Sequence, residues 1–177
     1  VYFVGNADDA TTKAAKNKAV TPTTSAQALT EIGDDLQAQQ QSSDQWSNNH
    51  YAILVAPGTY DMPHSFELGY YTQVLGVGDS MDDTILNPGV EAHNQGGFVK
   101  GAPGCITDAD RMNPLCETIG GLNNFWRGVE NFSMDFKSIT GPLIFAVSQA
   151  SPIRSIHFKG GANNVLLCDY HTANYNC

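Results

Sequence analysis

The chain has 177 residues, of which 41% are hydrophobic and 15% charged, and a formal net charge of −9. That length suits one domain burying roughly two-thirds of its unfolded surface, and polarity carried by amides, hydroxyls and glycine rather than by ions marks a β-rich extracellular protein. Nine basic residues scattered through an acidic chain form no phosphate-tracking face, which excludes nucleic acid as a partner, and no run reaches the ~18 apolar residues of a membrane span.

In chain order, Val1–Gly5 is a short β-type run, and residues 6–23 read as a polar surface connection broken at Thr21-Pro22. The first residue is Val1, with no leader-like segment ahead of it; a mature secreted chain reads this way, and so does a fragment of a longer one. A helix is predicted over 24–41. Thr24 with Gln27 makes a capping box, and Ala28, Leu29, Ile32 and Leu36 recur at helical spacing on one stripe. From Tyr51 the period changes to two. Ile53–Val55 is an apolar strand ended by Pro57-Gly58, and Gln73–Gly78 is the next strand. Asp79–Asp83 is an acidic turn, and Thr84–Leu86 is a strand stopped by Asn87-Pro88-Gly89. After an irregular stretch over 94–121, strands are predicted at Phe125–Phe136, Ile144–Ser148, Ile153–Phe158 and Val165–Cys168.

The four cysteines fall into two local pairs. Cys105–Cys116 and Cys168–Cys177 are the favoured disulfides among three pairings, each closing a loop of about ten residues worth roughly 2–3 kcal/mol in the chain-entropy model. No C-x-x-C or Cys/His spacing suggests zinc. The five histidines share no ligand spacing, Asp108 and Asp110 fall short of a calcium loop, and neither a metal nor another cofactor is expected.

Ile53, Val74, Val129 and Ile153 open comparable apolar runs twenty to fifty residues apart, the length of coils in a parallel β-helix with one long insertion. A β-sandwich competes, since it also needs many short strands. The leading helix favours the β-helix, whose first coil needs a cap over its open edge. The expected fold is therefore all-β: a right-handed parallel β-helix with its coils over 51–170 and an N-terminal capping helix, all within one domain of residues 1–177.

A helix followed by I-L-V-A-P-G-T-Y (Ile53–Tyr60) resembles the opening of right-handed parallel β-helix proteins of the pectate-lyase-like superfamily. More narrowly, G-Y-Y-T-Q-V-L-G-V-G-D-S-M-D-D (Gly69–Asp83), N-F-W-R-G-V-E-N-F-S-M (Asn124–Met134) and A-V-S-Q-A-S-P-I-R-S-I-H-F (Ala146–Phe158) resemble a group of large secreted β-helix proteins, often labelled "adenylyl cyclase" or "coagulation factor 5/8 type domain". The resemblance covers about Tyr51–Gly161 and implies the fold; members of that group are much longer. The cyclase label has no support in the residues, because nucleotidyl cyclisation needs metal-binding carboxylates and a triphosphate cradle, and no Gly-rich phosphate loop opens a helix here.

β-helix enzymes acting on polysaccharides work as hydrolases, with two facing carboxylates, or as lyases, with a base beside a neutralised uronate. Asp82-Asp83 lies in a turn, where Asp is favoured for backbone bonding. Trp126 is the strongest sugar-stacking residue; Arg127, Glu130 and Arg154 are candidates for the same groove, with Phe125, Val129 and Phe132 assigned to the core. Asn131-Phe132-Ser133 is a glycosylation sequon, weighed against an Asn in an internal ladder at a coil corner. The sequence thus points to an extracellular, carbohydrate-associated β-helix protein with a polysaccharide partner, of glycoside hydrolase or lyase type. The alternative is a non-catalytic structural or cell-surface protein that self-associates through its coil ends.

Overall fold

The computed structural model describes residues 1–5, 25–39, 47–92, 126–139, 143–146, 150–160 and 165–168. Among the described residues one α-helix, α1 (Ser25–Gln39), stands against eleven strands. They are β1 (Tyr2–Val4), β2 (Tyr51–Val55), β3 (Gly58–Asp61), β4 (Phe66–Glu67), β5 (Thr72–Gly76), β6 (Thr84–Asn87), β7 (Val90–Glu91), β8 (Gly128–Asp135), β9 (Leu143–Ala146), β10 (Ile153–Lys159) and β11 (Val165–Cys168). Every pairing among the described strands is parallel. The described residues are mostly strand with one α-helix, an all-β architecture, as the composition predicts.

Three short strands follow one another and are then repeated. β2, β3 and β4 pair in turn with β5, β6 and β7, with Tyr51 opposite Thr72, Gly58 opposite Thr84 and Phe66 opposite Val90. β8 lies across the repeat. Its first half pairs with β5, Val74 opposite Val129, and its second half with β6, Leu86 opposite Met134. β10 continues the stack on β8, with Ile153 opposite Val129 and Phe158 opposite Met134. A seven-stranded sheet results that curls into a half-barrel around the core, with two-stranded sheets β4–β7 and β9–β11 beside it.

Parallel pairing in register places like residues on like residues. Ile53, Val74 and Val129 form one inward column, and all are essentially fully buried. Tyr60, Leu86 and Met134 form a second column, and Phe66 with Val90 a third. Alternation along each strand turns the intervening residues outward. In β10 the pattern weakens: Ile153 and Phe158, in register with buried Val129 and Met134, are each 37% exposed.

α1 presents the predicted stripe, Ala28, Leu29, Ile32 and Leu36, all buried. It packs on β1, β3 and β4. Gly33 falls on the same face, and a Cβ there would lie 2.9 Å from the Phe66 ring. The strand boundaries predicted from sequence hold to within a few residues, with two differences. β2 ends before Pro57-Gly58 as expected, but the chain turns there and runs directly into a further strand, β3, that was not foreseen. The two-residue strands β4 and β7 are too short to show a period.

Candidate functional site

The outward face of β2, β5, β8 and β10 carries two rows that run across the strands. Phe3, Leu54, Leu75, Glu130 and Arg154 occupy one row, each opposite the next in register. Ala52, Gln73 and Gly128 occupy the other. Two adjoining depressions lie along this face and share Gln73. One, of about 420 Å³, is lined by Val1, His50, Tyr51, Tyr71, Trp126 and Ala150 among others. The second, of about 230 Å³, is bordered by Leu75, Gly128, Glu130, Pro152 and Arg154.

The larger depression is edged by an aromatic ladder at the corner where each strand begins. His50, Tyr71 and Trp126 each stand just before the start of their strands, at equivalent positions in the stack. The Tyr71 and Trp126 rings are parallel to within 4° with centroids 4.5 Å apart, and His50 lies 3.9 Å from Tyr71. Tyr70 meets Trp126 edge-on at 5.6 Å. Such pairs contribute about 0.5–1.5 kcal/mol beyond area burial. Tyr71, Trp126 and Ala150 all have left-handed backbone, with φ of 49°, 53° and 56°. That conformation costs of order 1–3 kcal/mol at a non-glycine residue, and it recurs at the same corner position of successive rungs. Trp126 remains 36% exposed, and Ala150 supplies only a methyl at the next rung.

Of the four residues expected to meet a ligand, the structure brings together three. Glu130 and Arg154 form an ion pair across β8 and β10, and they adjoin the Trp126 corner through Gln73. Arg127 is the correction. It is 1% exposed and points inward, donating from Nη1 to the Leu68 carbonyl. Burial pulls its pKa down to about 10, against the opposing pull of Glu67. Strand alternation puts Arg127 on the side of buried Val129, opposite Trp126, Gly128 and Glu130, so an outward Arg127 would have required a break in the strand.

Asn131 sits mid-strand with φ 59°. Its Nδ2 donates to the carbonyls of Gly76 (3.0 Å) and Gly78 (2.9 Å), so the nitrogen that a glycan would take is engaged inside the stack. Cys105, Cys116 and Cys177, and Phe125 of the expected core, lie outside the described residues. Cys168 ends β11.

A second polar cluster was read in the sequence only as a turn. Asp82 Oδ1 lies 2.7 Å from Lys159 Nζ, accepts from Ser133 Oγ at 2.8 Å and lies 2.7 Å from His157 Nδ1. Bonds from Lys159, Ser133 and His157 hold this carboxylate far below the usual range. The set contains Ser, His and Asp but in the wrong order for nucleophilic catalysis, since both the hydroxyl and the imidazole meet the carboxylate rather than each other. Ser133 is fully buried. The cluster ties the Asp79–Asp83 turn to β8 and β10.

No family model matches the sequence, and no solved structure matches it significantly. An exo-beta-1,3-glucanase from Streptomyces sp. (strain SirexAA-E / ActE) is similar, at 32% identity over 123 residues. The match takes in 70% of this chain and 16% of that protein, so the chain corresponds to about a sixth of the length of this curated relative.

Sequence reasoning found Trp126 but missed its ladder partners His50 and Tyr71, and Gln73 between the two depressions. The signal was present. Each aromatic stands one or two residues before the first residue of a coil's strand, but spacings of 21 and 55 residues hide the column until the register is known. No helix among the described residues is long and apolar enough to cross a membrane.

Proposed function

We propose that this chain forms coils of a right-handed parallel β-helix, of the pectate-lyase-like kind, that bind a neutral glucan along the outward face of β2, β5, β8 and β10 as part of an extracellular glycoside-hydrolase-type protein. The handedness follows from a general rule: parallel crossover connections in one sheet are right-handed in about 98% of cases. Exposed Ile153 and Phe158 offer the last described rung a surface on which a further coil stacks. The observation that carries the functional reading is the half-exposed Trp126 at the edge of the 420 Å³ depression, since a flat indole matches the C–H face of a pyranose. The partial likeness to an exo-beta-1,3-glucanase supports a β-1,3-linked glucan as the ligand class.

Between the two chemistries considered for polysaccharides, the residues favour hydrolase over lyase. Lyase action needs a cation for the uronate, and Arg127 is buried while Arg154 is paired with Glu130. Hydrolysis needs two facing carboxylates, and Glu130 is the single acidic residue bordering the two depressions among the described residues. These coils therefore supply binding, with the reacting carboxylates placed elsewhere. Trp126→Ala is expected to lower affinity for β-1,3-gluco-oligosaccharides about tenfold or more, as loss of a stacking hot spot does, with the far-UV circular dichroism retained. Unchanged affinity by calorimetry would refute the groove.

A further inference from the structure

The smaller depression has a distinct composition. Leu75 and Pro152 supply apolar surface, Gln73 an amide, and Glu130 and Arg154 a pair of opposite charges held in contact. Leu75, Glu130 and Arg154 are consecutive members of one outward row. Glu130 and Arg154 have side chains 34% and 70% exposed, so both can be reached. At about 230 Å³ the space suits one sugar ring, and it shares the lining residue Gln73 with the Trp126 depression.

We infer that this depression is a subsite for one neutral hexopyranose of the glucan chain, and that Glu130 makes it selective by neutralising Arg154. The inference rests on the groove reading above and adds a second position along it. A pyranose has an apolar face for Leu75 and Pro152, and vicinal hydroxyls that donate to a carboxylate and accept from a guanidinium. A uronate would bring its own carboxylate against Glu130, in a chain that already carries a net charge of −9, and like charges in contact are strongly disfavoured. Without the Glu130 charge, the Arg154 guanidinium is released to take a carboxylate in bidentate fashion.

The test compares wild type, Glu130→Gln, Arg154→Ala and the double variant, titrated with a β-1,3-gluco-oligosaccharide and with an oligogalacturonate. Arg154→Ala is expected to weaken glucan binding about tenfold, the cost of one charged hydrogen bond. Glu130→Gln is expected to acquire oligogalacturonate binding that falls as salt is raised. The double variant should bind no oligogalacturonate, because the gain comes from Arg154. The subsite is overturned if Glu130→Gln acquires no such binding, if the double variant acquires it equally, or if Arg154→Ala binds glucan like wild type. A wild type that binds no glucan overturns the groove reading itself, which separates that failure from the failure of the subsite alone.

Discussion

Arg127 and Glu130 stand three residues apart, yet one is sealed in the interior and the other lies on the groove. Strand alternation over that odd spacing separates them, Arg127 falling on the side of buried Val129 and Glu130 on the side of Gly128. Because Arg127 is held by the Leu68 carbonyl and the field of Glu67, its removal is a question of stability. Arg127→Met leaves those partners without their donor and is expected to cost about 2 kcal/mol, read as a lower urea midpoint. Glucan affinity of the folded variant should match wild type; full stability with binding lost would instead make Arg127 a ligand contact. Residue identity alone could not separate the two arginines, but strand parity does, because Arg127 shares its side with Val129. Val129 and Phe132 were legible as core by apolar character rather than by alternation, since they stand three residues apart and both are buried only because Asn131, at φ 59°, interrupts the alternation between them. Trp126 was legible as a surface aromatic, but its stacking on Tyr71 depends on a register that one sequence does not display.

At the scale of elements, α1 was the most legible piece. Its apolar stripe is continuous and its period is unlike anything around it. The strands were legible as strands, but their partners were not, because parallel pairing joins residues 21 to 55 positions apart. Gly33 shows what the stripe conceals. By helix propensity, Gly33→Ala should stabilise α1 by about 1 kcal/mol. The added Cβ would meet Phe66 of β4 at 2.9 Å, and overpacking of this kind costs about 1–3 kcal/mol. The expected outcome is a net loss of stability in thermal unfolding, relieved when Phe66→Leu is added. A Gly33→Ala protein more stable than wild type would show that the helix does not dock as described.

For the molecule as a whole, charge and pH act through a few fixed carboxylates. Lys159, Ser133 and His157 depress the Asp82 pKa, and Asn87, with Lys137, depresses that of Asp61. A depressed carboxylate contributes stability in full above the unfolded pKa of about 3.9, and the contribution is lost as pH falls through the lower folded value. The thermal midpoint should therefore fall below about pH 4, and Asp82→Asn should flatten that fall. A wild-type midpoint that stays level down to about pH 2 would remove the Asp82 cluster as a support. The corner at Asn131 has a wider consequence. Between Leu75 and Ile85 the chain takes the nine residues Gly76–Thr84 around the bend from β5 into β6, whereas β8 makes the same passage, from Glu130 to Ser133, with the two residues Asn131 and Phe132, and the pairings on both sides are kept. Long and short versions of one bend thus coexist on adjacent rungs. The bend is a graft point, where a peptide can be spliced into the outer wall while the rungs stay in step.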